Sequence, residues 1–159
     1  MKKLLIIALL TCSTNCFSEE LTVQNISDIT GKSKNQIFSA TKIWIAENFK
    51  SAKSVIENED KEAGTIIGNA NIKYPCDGVF SCMSKGDWKL EFTMKIDTKE
   101  QKLRITFFNL NKSWPPSAGY PAAKYPVKED EMEVIKPALI ALSDSLSDSV
   151  IKQKIYDNW

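Results

Sequence analysis

Trp88-Lys-Leu-Glu-Phe-Thr-Met-Lys-Ile-Asp97, answered a few residues later by Leu103-Arg-Ile-Thr-Phe107, decides the fold of this chain. Trp88, Leu90, Phe92, Met94 and Ile96 alternate with Lys89, Glu91, Thr93, Lys95 and Asp97. A period of two places one set on each face of a strand, so one face is apolar and the other polar. Asp97-Thr-Lys-Glu-Gln-Lys102 is a polar turn, and Leu103, Ile105 and Phe107 resume the alternation on the way back. A connection this short joins antiparallel neighbours. An antiparallel sheet commonly packs one face on a core and leaves the other in water. Such a sheet needs a cover on its apolar face.

The cover is sought on both sides of the hairpin. Upstream, Ser33-Lys-Asn-Gln36 is a capping box, in which the serine hydroxyl bonds the N3 amide and the glutamine reaches back. Ile37, Ala40, Thr41, Trp44, Ile45 and Phe49 follow at helical spacing and predict a helix over 34–49, with Trp44 in the core. Downstream, Met132, Ile135, Leu139, Leu142, Leu146 and Val150 line a second helical face. Pro137 starts a helix there or kinks a longer one. Ser143-Asp-Ser-Leu-Ser-Asp-Ser149 is rich in cap formers and is a place for that helix to break.

Other strands are expected at 54–58 and 65–73, with a weaker one near Leu21 to Ile26. Gly64 serves the turn between the first two, and Gly68 relieves crowding under a helix. Asn109 to Val127 holds four of the six prolines and reads as an extended loop. These elements predict a single α+β domain over 19–159. It is a two-layer sandwich, in which a curved antiparallel sheet of four or five strands carries the two helices on one face.

Met1-Lys-Lys3 followed by the apolar run Leu4 to Leu10 has the layout of a secretory signal peptide. Ser18 and Cys16 suit positions −1 and −3, giving a signal peptide over 1–18 and a periplasmic or secreted protein. Seven apolar residues are too few to span a bilayer, and no transmembrane segment is expected in the mature chain. Lipidation at Cys12 or Cys16 is the less favoured alternative, because Thr11 and Asn15 precede them. Loss of Lys2 and Lys3 leaves 19 of 21 basic residues against 20 acidic ones, a net charge of −1. That balance carries no electrostatic footprint for nucleic acid.

Cys76 and Cys82 remain as an even pair in an oxidising compartment and are expected to form a loop disulfide. With no histidine and no further thiol in the mature chain, a zinc site is not expected. The absence of histidine also excludes Ser-His-acid and Cys-His nucleophiles. The carboxylate pairs Glu57/Glu59 and Glu131/Glu133 read as solvated turns and helix starts. No catalytic residue, cofactor or metal is assigned, and the chain is read as a non-enzyme.

Ser33-x-x-x-Ile37-Phe38, Trp44-Ile45-x-x-x-Phe49 and Asp60-x-x-x-Gly64-Thr65-Ile66-Ile67-Gly68 resemble an exported bacterial family. It is a domain of unknown function with a TBP-like fold, and the resemblance is strongest over 20–110. It implies a curved antiparallel sheet with helices on one face and implies no activity. DNA binding does not follow from a fold's name.

Two functional classes survive. One is an envelope protein-interaction module that contacts a partner by its open sheet face, its edge or the Pro-aromatic segment. The other is a carrier of a small apolar ligand between sheet and helix. Trp114, Tyr120 and Tyr125 are the candidate contact residues, being types favoured at interface hot spots. The competing reading is that these rings fold back over the sheet margin.

Overall fold

The computed structural model describes residues 20–49, 55–116 and 121–153. Expectations resting on the signal peptide, Cys12, Cys16, Ser54 and Tyr120 lie outside these residues. The elements run β1 (Val23–Asp28), α1 (Lys34–Asn48), β2 (Ile56–Asp60), β3 (Thr65–Lys73), α2 (Val79–Ser84), β4 (Lys89–Lys99), β5 (Lys102–Trp114), β6 (Ala123–Pro126), a 3-10 turn (Glu129–Glu131) and α3 (Met132–Lys152). The six strands form one antiparallel sheet in the order β1-β5-β4-β3-β2, with β6 also paired to β5.

The quoted hairpin is the centre of that sheet. Leu90, Phe92, Met94, Ile96, Leu103, Ile105 and Phe107 are all buried against the helices. The turn between β4 and β5 is tighter than its polar sequence suggests: Lys99 pairs with Lys102, and Gln101 adopts a left-handed φ of 55°. Thr98 extends the buried row because its amide and hydroxyl both donate to the Gly64 carbonyl, at 2.7 and 2.9 Å.

Helix α1 begins at the capping box: Ser33 Oγ accepts from the Gln36 amide at 3.3 Å, and Gln36 Oε1 accepts from the Ser33 amide at 2.9 Å. Trp44 is 1% exposed, packs edge-on against Phe49 and donates its indole N–H to Ser145 Oγ of α3 at 3.3 Å. Helix α3 is continuous through 143–149, which settles a point the cap-rich serines leave open. Its serines hydrogen-bond β1, so their capping capacity is taken up elsewhere. Asn25 Nδ2 donates to Ser143 Oγ, and Ser147 Oγ donates to Ser27 Oγ. Pro137 lies inside this helix.

Two further departures matter for function. The stretch 109–127 is not wholly loop, because β5 runs to Trp114 and 123–126 returns as β6. Pro126 is tolerated because β6 is an outer strand, where a missing donor costs little. The crowding at Gly68 comes from the backbone of Val55, a helical residue, and of Ile56 at the start of β2. The disulfide loop also contains a short helix, α2, that turn-rich sequence did not suggest.

Candidate functional site

A bulge in β5 builds the most distinctive surface. Glu91 pairs with Asn111 while Thr93 pairs with Phe108, so Phe92 faces two residues, Asn109 and Leu110. Asn109 takes φ 52°, the left-handed conformation such a bulge requires, and asparagine tolerates it better than most residues. The extra residue shifts the alternation by one. Before it, Leu103, Ile105 and Phe107 face the helices; after it, Leu110, Lys112 and Trp114 do.

Trp114 is thereby brought onto the helix-bearing side, beyond the start of α3. There it stacks between Trp88 and Tyr125, with centroids 4.6 and 5.4 Å away and planes 21° and 25° apart. Tyr74 meets the other side of Trp88 edge-on at 5.7 Å. Lys85 Nζ lies 5.2 Å from the Tyr74 centroid and 5.9 Å from that of Trp88. Four strand ends and the disulfide loop thus contribute to one aromatic row.

Glu131 anchors this row from beneath. Its carboxylate accepts from Lys112 Nζ at 2.7 and 2.8 Å, from Tyr74 Oη at 2.9 Å and from the Lys128 amide at 3.0 Å. Burial pushes the Glu131 carboxyl upward, but these donors outweigh it and hold the group below the usual carboxylate range. Burial, then the bond and charge of Glu131, raise the Tyr74 phenol well above its ordinary value. Glu131 is therefore a partly buried hub. Reading it as a solvated helix start missed its role.

The open sheet face is polar and cross-linked within itself. Arg104 Nε and Nη2 both donate to Asp97 Oδ2, at 3.1 and 2.7 Å, and Thr65 Oγ1 donates to Asp97 Oδ1. Lys124 lies 2.7 Å from Glu91, which also accepts from Ser113 Oγ at 2.6 Å. The bonds from Lys124 and Ser113 hold Glu91 below its ordinary value. Burial alone would raise Asp97, but Arg104 and Thr65 hold it down. Charges of both signs alternate here, so the face carries no basic saddle.

A notch of about 840 Å³ opens at the edge of β5, where β1 and β6 leave Asn109 and Leu110 between them. Glu20 Oε1 accepts from the Asn109 amide at its margin, at 3.1 Å. A shallower hollow of about 440 Å³ lies on the open face among Asn69, Asn71, Thr93 and Asn111. Both are open to solvent, and buried residues reach their walls: Leu110 and Val127 in the first, Ala70 and Phe92 in the second.

Of the residues singled out by sequence, Cys76 and Cys82 are joined as a disulfide. Trp114 and Tyr125 are brought together. Trp114 is half-buried in the stack, as the margin-covering reading expects, whereas Tyr125 remains 53% exposed. Trp88 precedes β4, is partly buried against the margin of the core and belongs to the aromatic row. Tyr74 and Glu131 were not among the candidates, and no local signal marks them.

The family model for a domain of unknown function (DUF4468) with TBP-like fold matches residues 24–112. A crystal structure of a TBP-like protein from Parabacteroides distasonis superposes with a TM-score of 0.64 at 13% identity, covering 85% of this chain and 95% of that one. A DUF4468 family protein from Bacteroides ovatus gives a TM-score of 0.47 at 14% identity, over 82% of this chain and 80% of its own. No curated protein matches the sequence. The first structure shares the fold, and the family match spans more than half of the residues. The chain belongs to the DUF4468 family of domains of unknown function with a TBP-like fold.

Proposed function

We propose that this protein is a non-catalytic interaction module of the bacterial envelope, exported by its N-terminal signal and contacting a partner protein through Trp114 and Tyr125. The observation that carries this reading is the stack itself. Tyr125 is held on Trp114, which is held on Trp88, yet half of the Tyr125 surface remains in water. A pre-ordered aromatic contact loses little side-chain entropy on binding, which favours such residues as hot spots. Tyr120, grouped with them in the sequence, lies outside the described residues. The carboxylates Glu91, Asp97 and Glu131 are all held below their ordinary range, the reverse of what a general acid at neutral pH needs.

The carrier reading has weaker support. Trp44, Met94, Ile105, Phe107, Leu139 and Leu146 fill the layer between sheet and helices and are essentially inaccessible.

Affinity capture from envelope extracts tests the proposal. Trp114→Ala with Tyr125→Ala should abolish capture of a partner seen with the wild type; the loss of two stacked pairs lowers the melting temperature but leaves the domain folded. Undiminished capture by a folded double variant would refute the contact surface. N-terminal sequencing of the envelope form should begin near Glu19, and retention of Met1 would refute export with cleavage.

A further inference from the structure

Helix α2 presents three large apolar side chains to solvent. Val79 is 74% exposed, Phe80 88% and Met83 77%. Their spacing of i, i+1 and i+4 puts them within about 100° of arc on one helical turn. None of the α2 residues is buried, and the Cys76–Cys82 disulfide ties the turn to its own loop. Ordinary monomers scatter such residues singly; a cluster on a covalently fixed projection marks a contact.

We propose that this tip inserts into the surface of an anionic lipid bilayer. The lysines of the loop and its two flanking strand ends, Lys73, Lys85 and Lys89, are in no ion pair among the described residues. Asp77 and Asp87 are the acidic residues of the same segment, so 73–89 carries three positive charges against two negative, a net +1. Lys85, the residue after α2, holds its ammonium near the rings of Trp88 and the buried Tyr74. An apolar tip adjoined by lysines follows the order of polarities across a membrane interface.

A bilayer fits this tip better than a protein groove does. Helix-in-groove recognition reads anchors over at least two turns, and α2 has six residues. Three side chains also fall well short of the roughly 800 Å² per partner of a standard protein interface. A fluid interface demands neither length nor a complementary shape. The inference is independent of the contact proposed for Trp114 and Tyr125, since it rests on different side chains.

Co-sedimentation of the mature protein with vesicles of phosphatidylglycerol and phosphatidylethanolamine tests it. Wild-type protein should bind, and Phe80→Ser with Met83→Ser should lower the partition coefficient at least tenfold. The variant should keep the wild-type melting temperature, because these side chains pack on nothing. Replacing Lys85 and Lys89 by Gln should weaken binding and flatten its salt dependence. Absence of vesicle binding by the wild type, or binding indifferent to the Phe80/Met83 change, would overturn the proposal. So would a Phe80-dependent dimer in sedimentation analysis that does not bind vesicles. The Trp114/Tyr125 variant should retain vesicle binding, which keeps the two surfaces distinguishable.

Discussion

Tyr74 Oη donates to Glu131 Oε1 at 2.9 Å, joining the end of β3 to the entry of α3 across 57 residues of sequence. Lys112 approaches the same carboxylate from β5, and the three side chains are largely shielded from solvent. This bond ties the Tyr74 end of the aromatic row to the entry of α3.

Loss of this anchor should be pH-dependent. The Glu131 carboxyl is depressed in the folded state, so its stabilisation is present above the unfolded value of about 4.3. It is lost as pH falls through the lower folded value, because the unfolded chain then binds the proton first. Glu131→Gln should cost about 1.5–3 kcal/mol at pH 7, the range for hydrogen bonds to charged groups. Urea midpoints of the two proteins should converge as the pH drops towards 3. An equal gap at both pH values would exclude ionised Glu131 as the source.

Trp44 is the largest side chain at the junction of α1, α3 and the sheet. Trp44→Ala should cost about 3–5 kcal/mol, the range for truncating a buried aromatic. Trp44→Phe should cost less, since it keeps a ring and leaves only Ser145 Oγ without its donor. Chemical denaturation of both variants checks the ordering.

Thr41 gives the opposite sign. Its side-chain oxygen is buried without a hydrogen-bond partner. Valine has the same shape and no polar atom to strand. Thr41→Val should therefore raise stability by about 1 kcal/mol, by removing a desolvation penalty of order 1–3 kcal/mol in part. A lower melting temperature would show that the hydroxyl does find a partner in solution.

What could be read from the sequence follows from how far apart the interacting residues are. The capping box of α1 and the alternation through 90–107 are local patterns, so both were legible. Beyond Phe107 the pattern fails because Asn109 shifts its phase, Lys112 puts a charge on the helix-facing side, and prolines follow. A strand was therefore read as loop. The serines of α3 look like helix breakers until Asn25 and Ser27 are placed opposite them. Glu131 sits among acidic neighbours, and nothing nearby in sequence identifies Tyr74 as its partner.

The Cys76–Cys82 bond should matter locally. A ring this small constrains the unfolded chain by roughly 2 kcal/mol at most in the loop-entropy model. Reduction should speed hydrogen exchange at Cys82 and Lys85, whose amides bond Gly78 and Ser81. Amides of β4 and β5 should exchange as before. Global unfolding on reduction would show that α2 supports the sheet.

The bulge at Asn109 supplies the sharpest test of the architecture. Its φ of 52° suits glycine and asparagine and penalises β-branched residues. Asn109→Gly should lie within about 0.5 kcal/mol of wild type, because glycine adopts this conformation freely and the side chain is exposed. Asn109→Val should lose about 1–2 kcal/mol, the cost of a left-handed L-residue. Deleting Asn109 is a different experiment. Without the extra residue Leu110 alone lies opposite Phe92, the later pairs are unchanged, and Trp114 keeps its face beside Trp88. Stacked indoles couple in the near-ultraviolet, so the circular dichroism of this region should persist both on deletion and in Asn109→Gly. A deletion variant that folds but loses this signal would mean that Asn109 is not the extra residue of the bulge.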